Sequence, residues 1–519
     1  MKRSFLPARP ALAGGVLAAI LALAGCVPSG FKTTVQPRVP GANALAGLAT
    51  SGTAGQPAGA WPAPDWVRQL GDAQLDQLVT EAYENSPNLQ AAKARIAIAQ
   101  AQLQQYDSMT GLVGTAGGSV TKARVPRSDG VANVRAGGVN VPVDLFSDPG
   151  ISSSSLYAGF NYQIDLWGRN AAATRGLLSN RDAARVDAEQ ARLTLAVALV
   201  TLYCQLDQAY AQRDLLQEKR RASDQIDAVL RERAARGIDN AYDANDAAIK
   251  RGRLIKQLAQ VDEQIQLAQV QIGVMTGKGP ERGLALKRPH PGDLVDAPLP
   301  AQLPVDLLGR RPDIVAARLR VQAAFSAVDG AKADFYPNVN LSAIGGLFAL
   351  TPAGLLKGRA FGGSIGPAVT LPIFDRGRLK AKLAGDVANA DLSIALYNKT
   401  VDEALGQVAR QLTQLRTVDT LLAEQQHSVD AAQKLVDIAD ERHRRGFGME
   451  KDVNNARLTL VDERTQLIDL MAERRALRVG LIDALGGGFD VTKLAAPAIA
   501  HDELAFPPPH DRLTDSHFD

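Results

Sequence analysis

The chain has 519 residues, 5% aromatic side chains and a formal net charge of +3. That length exceeds what one hydrophobic core usually serves, so several domains or an extended architecture are expected. Few aromatics alongside plentiful Ala, Leu, Gln, Arg and Asp suit long helices better than a β-sandwich or a large α/β enzyme. A charge this close to balance offers no basic nucleic-acid face.

At the start, Lys2, Arg3 and Arg9 precede an apolar stretch from Ala11 to Ala24 that ends in Leu23-Ala24-Gly25-Cys26. Residues 1–25 read as an export signal rather than a membrane span; the alternative is an uncleaved anchor with a chance cysteine. Leu-Ala-Gly-Cys resembles the lipobox of bacterial lipoproteins. That resemblance implies cleavage before Cys26 and acylation of its thiol and amine, an anchor of several chains where one would not hold. Val27, standing where an aspartate would retain the protein elsewhere, points under the same pattern to the outer membrane. Losing three of the 58 basic residues leaves 55 against 55 acidic ones. Residues 26–65 are rich in Gly, Ala, Pro, Ser and Thr and are expected to be a flexible lipid-anchored linker. Cys204 is then the remaining thiol. Among Leu202, Tyr203 and Leu206 it reads as a core residue rather than a nucleophile.

The body is duplicated. Residues 168–279 align with 377–488 at a constant offset of 209, placing Gly168-Arg169 on Gly377-Arg378 and Arg236-Gly237 on Arg445-Gly446. Ser86-Pro87-Asn88-Leu89 resembles Arg311-Pro312-Asp313-Ile314 at an offset of 225. The first repeat is expected over about 66–280, the second over about 302–488, with a flexible tail at 489–519. A repeat this long is a duplicated domain rather than a short-period solenoid.

Each repeat opens on a helical pattern, at about 72–107 and about 304–333. A Gly-rich strand pair follows, at about 112–167 and about 337–374. In 155–167, Leu156, Ala158, Phe160, Tyr162, Ile164 and Leu166 alternate with mainly polar residues, a strand with one apolar face. Ile365, Val369, Leu371 and Ile373 repeat the pattern, partnered by Val339, Leu341, Ala343 and Leu347, while 112–121 is a weaker strand. Two strands per repeat make four per chain.

Long helices come next. In 377–444, Val401, Val408, Leu415, Leu422, Val429 and Val436 recur every seven residues, and in 240–276 Leu254, Leu258, Val261, Ile265, Ala268, Ile272 and Met275 step by four and three. These are coiled-coil seams, about 100 and 50 Å long at 1.5 Å per residue. Arg236-Gly237-Ile238-Asp239 and Arg445-Gly446-Phe447-Gly448 break them, with glycine free to take the left-handed conformation. The fold class is therefore mixed and predominantly α. Four strands cannot close a barrel alone, and open edges are not tolerated in lipid. Pooling across three chains would give twelve. The rival is a soluble coiled-coil lipoprotein, structural or adaptor, with its strands in a small cap.

Enzyme signatures are weak. Gly362-Gly363-Ser364-Ile365-Gly366 matches a hydrolase pattern, but there the serine must follow a strand and precede a helix. The six histidines are scattered, with no metal-binding pair on one helix.

Several phrases resemble the TolC-like outer-membrane factors, and most closely their NodT-type efflux lipoproteins. They are Asp306-Leu307-Leu308-Gly309-Arg310-Arg311-Pro312-Asp313-Ile314, Ala331-Lys332-Ala333-Asp334-Phe335-Tyr336-Pro337, Leu371-Pro372-Ile373-Phe374-Asp375-Arg376-Gly377 and Asp165-Leu166-Trp167-Gly168-Arg169. The resemblance implies a homotrimer with a twelve-stranded transmembrane barrel over a periplasmic helical barrel. It also implies a passive exit duct for small molecules, with a periplasmic adaptor and an inner-membrane transporter at its lower tip. No cofactor is implied beyond the lipid on Cys26. Arg236, Gly237, Ile238, Arg445, Gly446 and Phe447 match the family's adaptor-contacting tips. Asp243, Asp246 and Asp452 match its pore constriction, although Asn455 stands where an aspartate often sits. Arg236, Arg444 and Arg445 are placed to pair with those acids.

Overall fold

The structure, a computed structural model, describes residues 31–39, 61–123, 132–136, 139–143, 151–238, 241–294, 303–357 and 360–491. Cys26 and residues 492–519 lie outside them. Helices α1 (Ala73–Asn85) and α2 (Pro87–Thr110) lead into β1 (Val113–Ala123), β2 (Ala132–Ala136), β3 (Val139–Val143) and β4 (Ile151–Ile164). Then follow α3 (Arg169–Ala235), α4 (Ala241–Met275), α5 (Pro280–Leu284), α6 (Leu303–Arg310) and α7 (Pro312–Ala333). The chain closes with β5 (Asn338–Ala349), β6 (Phe361–Thr370), α8 (Arg376–Arg444) and α9 (Glu450–Ala484). Among the described residues no helix is long and apolar enough to cross a membrane.

Each opening helical pattern, expected as one helix, is two. Pro87 and Pro312 stand at the first position of α2 and α7, where the missing N–H costs nothing, and the residue before each is barred from helical geometry. The long helices span 67 and 69 residues and their partners 35 each. Two strands were also expected to run further than they do. β4 ends at Ile164, because Gly168 at φ +72° turns the chain into α3. β6 ends at Thr370, two residues before Pro372, which has no N–H for a ladder. β2 and β3 are an additional antiparallel hairpin, whose signal is Val134, Val139, Val141 and Val143 flanking Gly137-Gly138.

The chain divides into two compact units, each drawing on both repeats. The first comprises residues 1–34, 98–181 and 321–392. Its sheet has the antiparallel order β1-β4-β5-β6. Val328, Ala331 and Phe335 pack against Leu379, Leu383, Val387 and Ala390, and Phe31 joins them. Phe31 to Val39, expected within a flexible linker, is instead bonded along α8. In this unit Thr34 donates from its N–H and hydroxyl to Asp391, both at 2.9 Å. In the other, Asn398 accepts from the Arg38 N–H at 2.7 Å and donates to the Gln36 carbonyl at 2.9 Å.

The second unit holds the core around Leu75, Leu78, Leu199, Val200, Tyr203, Leu206 and Ile272. Cys204 is buried there, and burial pushes its pKa up to about 11, so it stays a thiol. The Tyr203 hydroxyl donates to Asp72 at 2.7 Å and accepts from Gln74 at 2.8 Å. Burial raises the Asp72 carboxyl, but donation from Tyr203 and from the N–H groups of His290, Leu75 and Gln74 outweighs it and holds the group below its ordinary 3.8. Its contribution to stability is therefore present above the ordinary carboxylate range and lost as pH falls through the lower folded value. Where α4 meets α5, a Cβ on Gly283 would collide with the Gln269 carbonyl oxygen, backbone that cannot move aside.

Gly283→Ala is expected to destabilise the protein by about 1–3 kcal/mol through backbone overpacking. Gly252→Ala, in α4 with nothing within 4 Å, should stabilise it by about 0.5–1 kcal/mol. Thermal melts of the purified protein separate the two. Tyr203→Phe should lower stability at neutral pH by about 1 kcal/mol. Melts in acid should show that deficit shrinking as Asp72 protonates.

Candidate functional site

In an antiparallel sheet, residues directly opposite one another share a face. The register pairs Leu156 with Leu347 and Gly118, Phe160 with Ala343 and Gly114, and Ile164 with Val339. Leu347 in turn faces Phe361, Ala343 faces Ile365, and Val339 faces Val369. From the level of Leu156 to that of Ile164, one face thus carries only apolar residues, glycine and Tyr162. The other carries Asn161, Gln163, Ser342, Asn340 and Ser364. The apolar face is bare: Phe361 is 74% exposed, Ile365 73% and Leu156 56%. Ser364 lies mid-strand opposite Ile344, not on a strand-to-helix turn, so its Gly-x-Ser-x-Gly setting has no nucleophile elbow.

A row of glycines crosses the sheet. A Cβ at Gly346 would strike the Leu156 carbonyl, and one at Gly159 would lie 2.7 Å from the Ala343 carbonyl oxygen. Glycine permits the strands to approach and coil there, a device that curves sheets.

Where the strands meet the helices, two of the sequence phrases converge. Trp167 stacks on Tyr336 with ring centroids 4.7 Å apart, and its indole N–H donates to the Pro337 carbonyl at 2.8 Å. Asp334, whose side chain is 10% exposed, pairs with Arg169 at 3.0 Å and Lys382 at 2.5 Å. Asp165 accepts from the Ala171 N–H at the start of α3. A third phrase secures the end of α9: Arg311 donates to the Ala484 carbonyl at 2.7 Å and to Gln407 at 3.0 Å, while pairing with Asp313. Neither set of contacts could be inferred from spacing, because the partners lie in different repeats or far along the chain.

At the hairpin tips, Gly237 and Gly446 adopt φ +69° and +79° with no atom near a would-be Cβ. The conformation alone demands glycine. The Ile238 N–H bonds the Arg233 carbonyl and the Phe447 N–H the Arg442 carbonyl, both at 2.9 Å. These bonds satisfy the last carbonyls of α3 and α8. The turns leave Ile238 60% and Phe447 78% exposed. Asp243 is exposed in the first turn of α4. Asp246 pairs with Lys250 at 2.8 Å. Asp452 accepts from the Met449 N–H at 3.3 Å, capping α9.

The expected pairing of tip arginines with these acids does not occur within the chain. Arg236 pairs with Glu232, and both Arg444 and Arg445 pair with Glu441. Each arginine finds a carboxylate one turn back on its own helix, the geometry in which such pairs form most readily. Among the described residues no group of acids, histidines and cysteines is placed to hold a metal ion.

The family model for the outer membrane efflux protein matches residues 78–278 and 303–487. The putative multidrug resistance outer membrane protein MdtQ of Shigella flexneri is 30% identical over 474 residues, covering 91% of this chain and 96% of that protein. The fusaric acid resistance protein FusA of Burkholderia cepacia is 35% identical over 73% of this chain and 69% of its own length. Among solved structures, the outer membrane protein VceC of Vibrio cholerae superposes with a TM-score of 0.73 at 30% identity, covering 83% of this chain and all of that one. The outer membrane channel CmeC of Campylobacter jejuni shares the fold at a TM-score of 0.75 and 21% identity. The match to the family model over most of the chain and the 30% identity to relatives covered almost end to end carry the conclusion: the chain belongs to the outer membrane efflux protein family and is an outer-membrane channel of an efflux pump.

Proposed function

We propose that three copies of this chain pool their sheets edge to edge into a twelve-stranded barrel, continued by the paired hairpins as a periplasmic helical duct. The observation that carries this reading is the four-stranded sheet with an uninterrupted apolar face and two outer strands, β1 and β6, each paired on one side only among the described residues. Such edges are costly in hydrocarbon, and closure removes them. Three chains supply a strand number within the range of closed membrane barrels. The mainly polar second face then lines the lumen.

Transport through this duct is passive and involves no catalysis, with energy supplied by an inner-membrane transporter. A periplasmic adaptor meets Arg236, Gly237, Ile238, Arg445, Gly446 and Phe447, where Ile238 and Phe447 present apolar side chains to a partner. Asp243, Asp246 and Asp452, repeated in three copies, form acidic rings that narrow the pore. Charged rings select ions by concentrating field at a constriction. Acyl chains on Cys26 anchor the chain in the outer membrane, and the bonded segment from Phe31 to Val39 keeps that attachment against α8.

Electron microscopy of the acylated protein in detergent is expected to give uniform needles well over 100 Å long, with three-fold end views, because the long helices of 67 and 69 residues alone span about 100 Å at 1.5 Å per residue. Compact or monomeric particles would remove the duct and favour a coiled-coil scaffold. In planar bilayers, Asp243→Ala and Asp452→Ala should raise conductance and weaken cation preference. Unchanged conductance and selectivity in both variants would take these residues out of the constriction.

A further inference from the structure

The two long hairpins share helix lengths and turn geometry but not the chemistry of their seams. Close to the second tip, Val429, Ala432 and Val436 of α8 pack with Ala456 and Leu460 of α9. Moved by the 209-residue repeat, those positions in the first hairpin hold Arg220, Ser223, Asp227, Ala247 and Arg251. Every large apolar member of the cluster has a charged residue as its counterpart.

Those charges meet across the seam. Arg251 of α4 donates to Asp224 of α3 at 2.8 Å and lies 3.8 Å from Asp227. Asp227, only 4% exposed, also accepts from Arg231 at 2.9 Å, and Asp224 has Arg220 at 3.5 Å. One level further from the tip the relation reverses. Leu254 is buried in the first hairpin, where its counterpart Glu463 accepts from Gln425 at 2.7 Å. The second arm has a cross-seam pair of its own near the tip, Arg457 with Asp440 at 3.2 Å, but there it accompanies the apolar cluster rather than replacing it.

The two solutions differ in what they resist. Apolar contact is not screened by salt, and parting the helices would expose it to water. A partly exposed ion pair gains little net free energy once its desolvation is counted, and salt weakens it further. The Arg251 side chain is 40% exposed and that of Asp224 38%, so water and counter-ions can replace each for the other.

We propose that this ionic clamp makes the α3–α4 arm the one whose helices part near the tip, a salt-sensitive hinge, while the α8–α9 arm moves as one piece. Its role in opening the duct rests on the proposed trimeric channel; the lability of the seam does not, and two measurements separate them.

Hydrogen exchange on the full chain in detergent reads the seam. Amides at 218–232 and 245–258 are expected to exchange several-fold faster than those at 427–441 and 454–467. Raising the salt tenfold should speed the first set by roughly threefold and the second by much less. The double change Asp227→Val with Arg251→Leu, which installs the residues of the second arm, should slow the first set and abolish its salt response. Should that variant fail to fold, Val436→Asp with Leu460→Arg should confer the salt response on the second arm. Equal exchange in both arms, or a first arm indifferent to salt and to substitution, overturns the hinge. Single-channel recordings read the role: the same double change should slow opening, and unaltered opening in a variant that has lost its salt response overturns the gating role alone.

Discussion

A strand at the edge of a sheet carries backbone donors and acceptors that water can satisfy and hydrocarbon cannot. That constraint governs this protein, because its sheet presents an uninterrupted apolar face from Leu156 to Ile164 and through Val339, Ile365 and Val369. In water such a face is an aggregation hazard; in lipid it is at home, but only if the outer edges of β1 and β6 find partners. The glycine row at Gly159 and Gly346 serves the same end, since strands that must curve need places where backbones approach without side chains between them.

The sheet is useful only if it is joined firmly to the helices that continue it, and the joint is where polar and aromatic residues are concentrated. Asp334 ties α3 to α8 through Arg169 and Lys382, and Trp167 on Tyr336 closes the gap between β4 and the approach to β5. A carboxylate this sheltered needs both cations: with either missing, a desolvated charge would be left underpaired. Arg311 acts likewise in the second unit, reaching the carbonyl at the end of α9.

The hairpins follow from a different economy. Sustained apolar seams hold each pair of helices along most of its length, and a single left-handed glycine reverses the chain at each tip. The repeats were free to diverge wherever a seam could be held in two ways. The first arm has Asp227 and Arg251 where the second has Val436 and Leu460. The tip acids show a related division of labour: Asp452 caps α9 and Asp246 pairs along α4, while the arginines beside them are held by glutamates on their own helices.

Much of this was legible in the residues. The alternation from Leu156 to Ile164 marked β4 and its face, the seven-residue spacing of Val401, Val408 and Val436 marked the long seam, and Gly237 and Gly446 marked the tips, because each is a local pattern read within one element. Strand ends and helix breaks were less legible, since Pro87, Pro312 and Pro372 act on their neighbours' geometry rather than on periodicity. The order and register of the sheet, the meeting of Trp167 with Tyr336, the attachment of Thr34 to Asp391, and the partners chosen by Arg236 and Arg445 were decided only by the tertiary structure. Periodicity states which face of an element is apolar. Which residue from a distant segment arrives there depends on how the chain returns, and no single segment contains that information.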